Sequence, residues 1–245
     1  MSIQILDIYQ GNKFNPEQEI NTGTDAVLIK AGQGEYQDYL DTRCPYIDFC
    51  EHVGLPWGVF WQIDARYSPE SHKAALKYFF DKMSFGNLGL WLACEKPFYP
   101  LPDFLYGKMP YAYYKPIESI WRGLQNYTGA WPGIYTSLSM WRLIFSACPL
   151  ALQSEFAAFS KLWVAQYKVT APAQIGQWPA WWFWQYMSEP DYSVFSGSEQ
   201  DFKLQYGQLD FPPNPPPVDP PADPPPAAAR TAILQEAIDA IEAIK

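Results

Sequence analysis

Residues 57–95 read WGVFWQIDARYSPESHKAALKYFFDKMSFGNLGLWLACE. Two short apolar runs, Trp57 to Gln62 and Leu88 to Glu95, are bounded by Gly, Pro or Asn and read as buried strands. Between them, Ser68 and Pro69 cap a stretch of helical pattern that reaches Met83. Strand, helix and strand in this order predict a parallel βαβ unit.

The same alternation extends in both directions. Upstream, Ile3 to Tyr9 and Ala26 to Ala31 read as strands, and Pro45 to Val53 reads as a helix that stops at Gly54. Downstream, Ile117, Ile120, Trp121 and Leu124 repeat at helical spacing before a strand at Gly133 to Ser137. The last third differs. Lys161 to Tyr167, Ala180 to Tyr186 and Gln200 to Leu204 look like strands, while the segments between them, with Pro172, Gly176, Pro179, Pro190 and Gly197, lack helical periodicity and are expected to be loops. Five βα-like units plus three closing strands suit a small α/β barrel of eight strands. An open doubly wound sheet competes, but no Gly-x-Gly-x-x-Gly follows the first strand.

The chain continues beyond the barrel. Residues 1–211 form the expected domain, and residues 212–226, PPNPPPVDPPADPPP, hold ten of the 24 prolines. Such a segment prefers extended polyproline II and would hold the C-terminal residues roughly 45 Å from the domain. Residues 227–245 place Leu234, Ile238 and Ile241 on one helical face, which predicts an amphipathic helix suited to self-association or to a protein partner. Nineteen residues are marginal as an isolated helix, so packing on something else is expected to order it.

Composition narrows the partners. Net charge is −9, which opposes sequence-independent attraction to nucleic acid or to an anionic membrane. An aromatic share of 18% with only 18% charged residues suits either a large aromatic core or a neutral, ring-shaped ligand such as a sugar. Cys44, Cys50, Cys94 and Cys148 form no Cys-x-x-Cys pair and have only His52 and His72 as imidazole companions, so neither a metal centre nor a cofactor is expected. There is no run long and apolar enough to span a bilayer, and Met1 to Gln10 lacks the features of a signal peptide. Synthesis in the cytoplasm without a leader is the corresponding expectation.

In a barrel, reactive groups sit where strands end at the C-terminal mouth. Asp7 ends the first strand, Asp64 follows the third, Glu95 ends the fourth, and Asp201 falls in the expected last strand. Glu95 follows an apolar run, LGLWLAC, whose setting would raise its pKa and keep it protonated as an acid. Alternation puts Ala93 and Glu95 on one face and Cys94 on the other. The first and last strands of a closed barrel are neighbours, so Asp7 and Asp201 are expected beside Glu95, a carboxylate cluster of the kind glycoside hydrolysis employs. Trp61, Tyr135 and Trp184 are the expected sugar-stacking residues, against the alternative of core packing. A Ser, His, Asp triad finds little support, because both histidines lie in helical stretches.

The chain also resembles a known family. Asp7-Ile8-Tyr9-Gln10-Gly11, Leu28-Ile29-Lys30-Ala31 with Gly34 and Tyr36, Gly58-Val59-Phe60-Trp61, Trp91 to Glu95, Gly133-Ile134-Tyr135-Thr136, Leu162 to Tyr167 and Trp184-Gln185-Tyr186 before Asp201 are similar, in order and spacing, to the strands of family-25 glycoside hydrolases, the lysozyme or N-acetylmuramidase family. The resemblance spans about residues 3 to 207. It implies an irregular barrel of five β/α units closed by three strands, and cleavage of the β-1,4 bond between N-acetylmuramic acid and N-acetylglucosamine in peptidoglycan. It assigns Glu95 as general acid and Asp7 and Asp201 as cleft carboxylates. One position departs: the family's Asp-x-Glu at the end of the fourth strand has Ala93 as its first residue here, and Asp64 is the candidate substitute carboxylate. With this resemblance, a wall-lysing enzyme released by lysis machinery or carried in a virion is the first expectation. A catalytically impaired barrel serving as a wall-binding or structural module is the second, and a glycosidase acting on chitin or a related polymer the third.

Overall fold

The computed structural model describes residues 2–9, 23–35, 45–64, 66–81, 84–95, 110–145, 147–188 and 190–206. The expected proline-rich linker and C-terminal helix, and Cys44, lie outside the described residues. Eight strands close into a barrel in sequence order: β1 (Gln4–Ile8), β2 (Ala26–Gln33), β3 (Trp57–Gln62), β4 (Gly89–Ala93), β5 (Gly133–Ser137), β6 (Leu162–Ala165), β7 (Phe183–Ser188) and β8 (Asp191–Phe195). β1 to β7 pair in parallel, and β8 runs antiparallel to both β7 and β1. The open doubly wound alternative is therefore excluded.

Helices surround the barrel: α1 (Pro45–Val53), α2 (Pro69–Phe80), α3 (Pro110–Thr128), α4 (Leu138–Phe145), α5 (Leu150–Phe159) and α6 (Glu199–Tyr206). The start of α2 is set by Ser68, whose hydroxyl accepts from the Ser71 N–H, followed by Pro69 in the first turn. Both α4 and α5 lie between β5 and β6, and residues 166–182 join β6 to β7 without helix or strand, as the Pro and Gly pattern there predicts.

Strand alternation divides the apolar residues into two layers. Ile5, Leu28, Trp91, Tyr135, Trp163, Phe183 and Phe195 fill the barrel interior, and Trp61, Leu92, Ile134 and Val164 pack outward against Phe79, Trp121 and Phe156 of the helices. The interior is thus a packed aromatic core, with Trp91 edge-on to Trp163 at 6.0 Å. Gly133 is required here, since a Cβ on it would lie 2.3 Å from the Trp91 ring.

The expected eighth strand at Gln200 to Leu204 is corrected. Those residues belong to α6, and the eighth strand is Asp191–Phe195, which returns from β7 through a tight turn. The reason is a reciprocal cap: the Ser198 hydroxyl accepts from the Asp201 N–H at 3.1 Å, and the Asp201 carboxylate accepts from the Ser198 N–H at 2.9 Å. This starts a helix, a local signal that the apolar pattern of the segment concealed. Because β8 runs antiparallel, α6 lies at the N-terminal end of the barrel, where Phe202 and Tyr206 pack into the interior core.

Candidate active site

The C-terminal mouth is built from the inward-facing ends of the strands. Asp7 ends β1, Glu95 lies two residues past β4 on the Ala93 face, Tyr135 is in β5, Tyr167 follows β6, Gln185 is in β7, and Asp191 begins β8. Gln185 is the hub. Its amide Nε2 donates to Asp7 Oδ2 at 2.8 Å and to Asp191 Oδ1 at 3.1 Å, and its Oε1 accepts from the Tyr135 hydroxyl at 2.6 Å and the Tyr167 hydroxyl at 2.8 Å. All four bonds fit one orientation of the amide, with nitrogen facing acids and oxygen facing phenols.

The electrostatics follow from this crowding. Burial raises the Asp7 pKa well above the usual aspartate range, the charge of Asp191 and that of Glu95 raise it further, and the Gln185 hydrogen bond only partly offsets them. Glu95 is also raised, chiefly by burial, while the Tyr135 hydroxyl and the Lys30 ammonium act in the opposite direction. The mouth therefore favours the protonated form of both carboxyls more than open solvent would. The Cys94 thiol, fully buried on the opposite strand face, is pushed strongly upward by burial and is not a nucleophile.

A second cluster lies beside the first. Asp64 is buried; its Oδ1 accepts from Arg66 Nε at 2.9 Å and from the Arg66 N–H at 3.0 Å, and its Oδ2 accepts from Gln33 Nε2 at 2.9 Å. Burial alone would raise its pKa, but the Arg66 and Gln33 bonds prevail and hold it at about 2. Lys30 Nζ donates to Gln33 Oε1 at 3.0 Å, which links this cluster to the neighbourhood of Glu95. Asp64 is committed to Arg66 and Gln33.

The sequence-predicted residues thus divide. Asp7, Glu95 and Tyr135 are brought together. Asp201 is not: it caps α6 at the far end of the barrel and is exposed, so the carboxylate contributed by the eighth strand is Asp191. Trp61 is 0% exposed and faces the helices, donating from Nε1 to His72 Nδ1 at 3.2 Å. Trp184 also faces outward, packing near Trp181 and Tyr186 with its Nε1 donating to the Gln166 carbonyl at 2.7 Å. Both are one residue out of phase with the inward-facing positions, Gln62 and Gln185. Sequence reasoning missed Gln185, Tyr167 and Asp191. An amide at an inward position of an otherwise aromatic strand was the available signal for Gln185.

Among the described residues no group of His, Cys, Asp and Glu is placed to hold a metal ion, and no helix is long and apolar enough to cross a membrane. The chain matches the family described as Glycosyl hydrolases family 25 over residues 6–193. It belongs to that family. This glycoside hydrolase barrel superposes on the muramidase from Acremonium alcalophilum with a TM-score of 0.68 at 20% identity, covering 84% of this chain and 99% of that one. It superposes on the bacterial lysozyme from Streptomyces coelicolor with a TM-score of 0.69 at 21% identity, covering 84% and 98%. The modular autolysin LytC from Streptococcus pneumoniae, solved with a synthetic peptidoglycan ligand, gives a TM-score of 0.60 at 16% identity over 79% of this chain and 46% of that one. No curated protein sequence matches. Ala93, two residues before Glu95 on the same strand face, is 1% exposed.

Proposed function

We propose that this family-25 barrel hydrolyses peptidoglycan, cleaving the β-1,4 bond between N-acetylmuramic acid and N-acetylglucosamine, with Glu95 as general acid. The observation that carries the proposal is a glutamate at the barrel mouth whose pKa is raised by burial, in hydrogen-bonding company with Tyr135 and facing the Asp7–Gln185–Asp191 network. Glu95 would donate its proton to the glycosidic oxygen as the bond breaks. The Asp7 and Asp191 carboxyls share one amide and repel each other's ionisation, so the pair carries one negative charge more readily than two. That charge would face the positive charge developing on the sugar ring, the role left open by Ala93. Gln185 and the two tyrosines fix the pair in place, and Tyr135 offers an aromatic wall to the sugar.

Delivery to the wall by lysis machinery, or within a virion, accords with the likeness to the CTP1L endolysin, which has a TM-score of 0.58 and 15% identity. A second reading, a wall-binding barrel without turnover, is favoured by one observation: Ala93 offers only a methyl group, and Asp64 is held by Arg66 and Gln33. Digestion of purified peptidoglycan, with the reducing ends of soluble fragments identified by mass spectrometry, separates the readings. Fragments ending in N-acetylmuramic acid support the muramidase; intact wall that still retains the protein supports the second reading; other reducing ends point to a different bond.

A further inference from the structure

At the end of the barrel opposite the carboxylates, the starts of β4 and β5, the residue preceding β6 and the last turn of α6 surround a cavity of about 310 Å³. That lies at the lower end of the range for small-molecule sites. One wall is aromatic. Trp131 stacks on Phe159, with ring centroids 5.2 Å apart and planes at 23°, and is backed by Trp121 at 3.9 Å. Phe159 is 53% exposed, a large ring left bare beside an opening. Over Gly89 the space where a side chain would project is empty.

The polar side of the cavity has one cationic group, Lys161, beside the neutral Asn87, Thr128, Gln205 and Tyr206. Lys161 Nζ lies 4.2 Å from the Trp182 ring centroid and 5.1 Å from that of Tyr206, and it donates to the Tyr206 hydroxyl at 3.4 Å. Among the described residues no carboxylate pairs with it. Burial accordingly lowers its pKa to about 8, with no opposing influence. The Tyr206 oxygen already accepts from Trp182 Nε1 at 2.5 Å as well as from Lys161, so its own proton is directed elsewhere. The neighbouring Asn87 and Thr128 are already occupied: Asn87 bonds the Trp57 N–H and the Tyr206 carbonyl, and Thr128 bonds the Leu124 and Ala130 carbonyls. A half-buried ammonium with aromatic walls and no carboxylate partner among the described residues is complementary to an anionic oxygen on a flat apolar body.

We propose that this cavity is a second ligand site, distinct from the carboxylate mouth, for a compact ring-bearing carboxylate that packs on the exposed Phe159 ring beside Trp131 and places its carboxylate on Lys161 Nζ. The site does not depend on the cleavage reading. Net charge of −9 gives the chain no general affinity for anions, so saturable binding of one would report a built site.

Calorimetric titration of the full chain with 2-naphthoate tests this, with the neutral 2-naphthamide as the matched control. One saturable site is expected, at least about tenfold weaker for the amide and for Lys161→Met, which keeps most of the apolar stem and removes the charge. Phe159→Ala should weaken it several-fold; its exposed ring makes that change safe for the fold. Glu95→Gln should leave it unchanged, which locates binding away from the mouth. Absence of saturable heat, equal affinity for acid and amide, or loss of binding in Glu95→Gln would overturn the proposal. The acid-to-amide comparison needs no variant to fold.

Discussion

Replacing Gln185 by Leu removes the one side chain that bridges Asp7, Asp191, Tyr135 and Tyr167 while keeping an apolar body of similar length at a buried strand position. The two phenols are the lesser loss, because Tyr167 is exposed to solvent and Tyr135 has Glu95 nearby as an alternative acceptor. The amide bond to whichever carboxyl of the pair carries the charge is charge-assisted, worth about 1.5–3 kcal/mol, and the other is an ordinary hydrogen bond worth about 0.5–1.5 kcal/mol. Water entering the mouth recovers part of this, so a net destabilisation of about 2–4 kcal/mol is expected near pH 8.

The pH dependence gives a sharper test. Gln185 lowers a pKa that burial, Asp191 and Glu95 all raise, so its removal moves the folded-state pKa of Asp7 still further above the unfolded value near 3.8. A raised carboxyl pKa opposes folding at pH values where the unfolded chain is ionised, and the opposition vanishes once Asp7 is protonated in both states. The difference between wild type and Gln185→Leu should therefore shrink as pH falls from about 8 to about 4.5. Urea unfolding of both proteins at the two pH values measures it. A difference that is constant with pH, or below about 0.5 kcal/mol at the higher pH, would refute the idea that Gln185 holds two mutually repelling carboxylates in place.

Other outcomes rest on the same geometry. Glu95→Gln keeps shape and removes the transferable proton, so release of peptidoglycan fragments should fall by roughly 10²-fold or more with wall binding retained. Asp7→Asn should raise the midpoint of urea unfolding near pH 8, since an amide in that buried position carries no charge to desolvate, while cleavage falls. Asp201→Ala should lower the melting temperature slightly by removing the α6 cap and leave cleavage unchanged; a loss of cleavage would return Asp201 to the site. Ala93→Asp should raise cleavage if the absent carboxylate limits turnover, at some cost in stability for a charge at a 1% exposed position.

The barrel was legible in sequence because most of its parallel strands are buried on both faces and so read as continuous apolar runs between Gly and Pro, as in Trp57–Gln62 and Gly133–Ser137. The place of Glu95 at the mouth was legible for the same reason: an ionisable residue follows such a run there. Where one face of a strand meets polar groups, the signal weakened. β8 is short, reads DYSVF and follows Pro190, so its first residue, Asp191, resembled a turn, while the apolar residues of α6 resembled a strand. The sugar-stacking expectation for Trp61 and Trp184 failed through phase. In a buried strand both faces carry aromatics, so composition cannot tell which indole points inward, and a one-residue shift exchanges the faces.

Strand phase matters equally at Ala93. Its neighbours in register are Gln62 on β3 and Tyr135 on β5, all directed inward, so a carboxylate there would stand one step below Glu95 on the same face. An aspartate so close would raise the Glu95 pKa by its charge. With Ala93 in place no such neighbour acts on Glu95, and burial supplies the elevation against the opposing influence of Tyr135 and Lys30. Raising a carboxyl by burial rather than by charge has a consequence: the elevation lasts only while the mouth excludes water around Glu95. Across the barrel, Asp7 and Asp191 are tied together by Gln185 from β7. Glu95 and the Asp7–Asp191 pair thus sit on opposite walls of the mouth, and Tyr135, bonded to Gln185 and within the electrostatic reach of Glu95, lies between them.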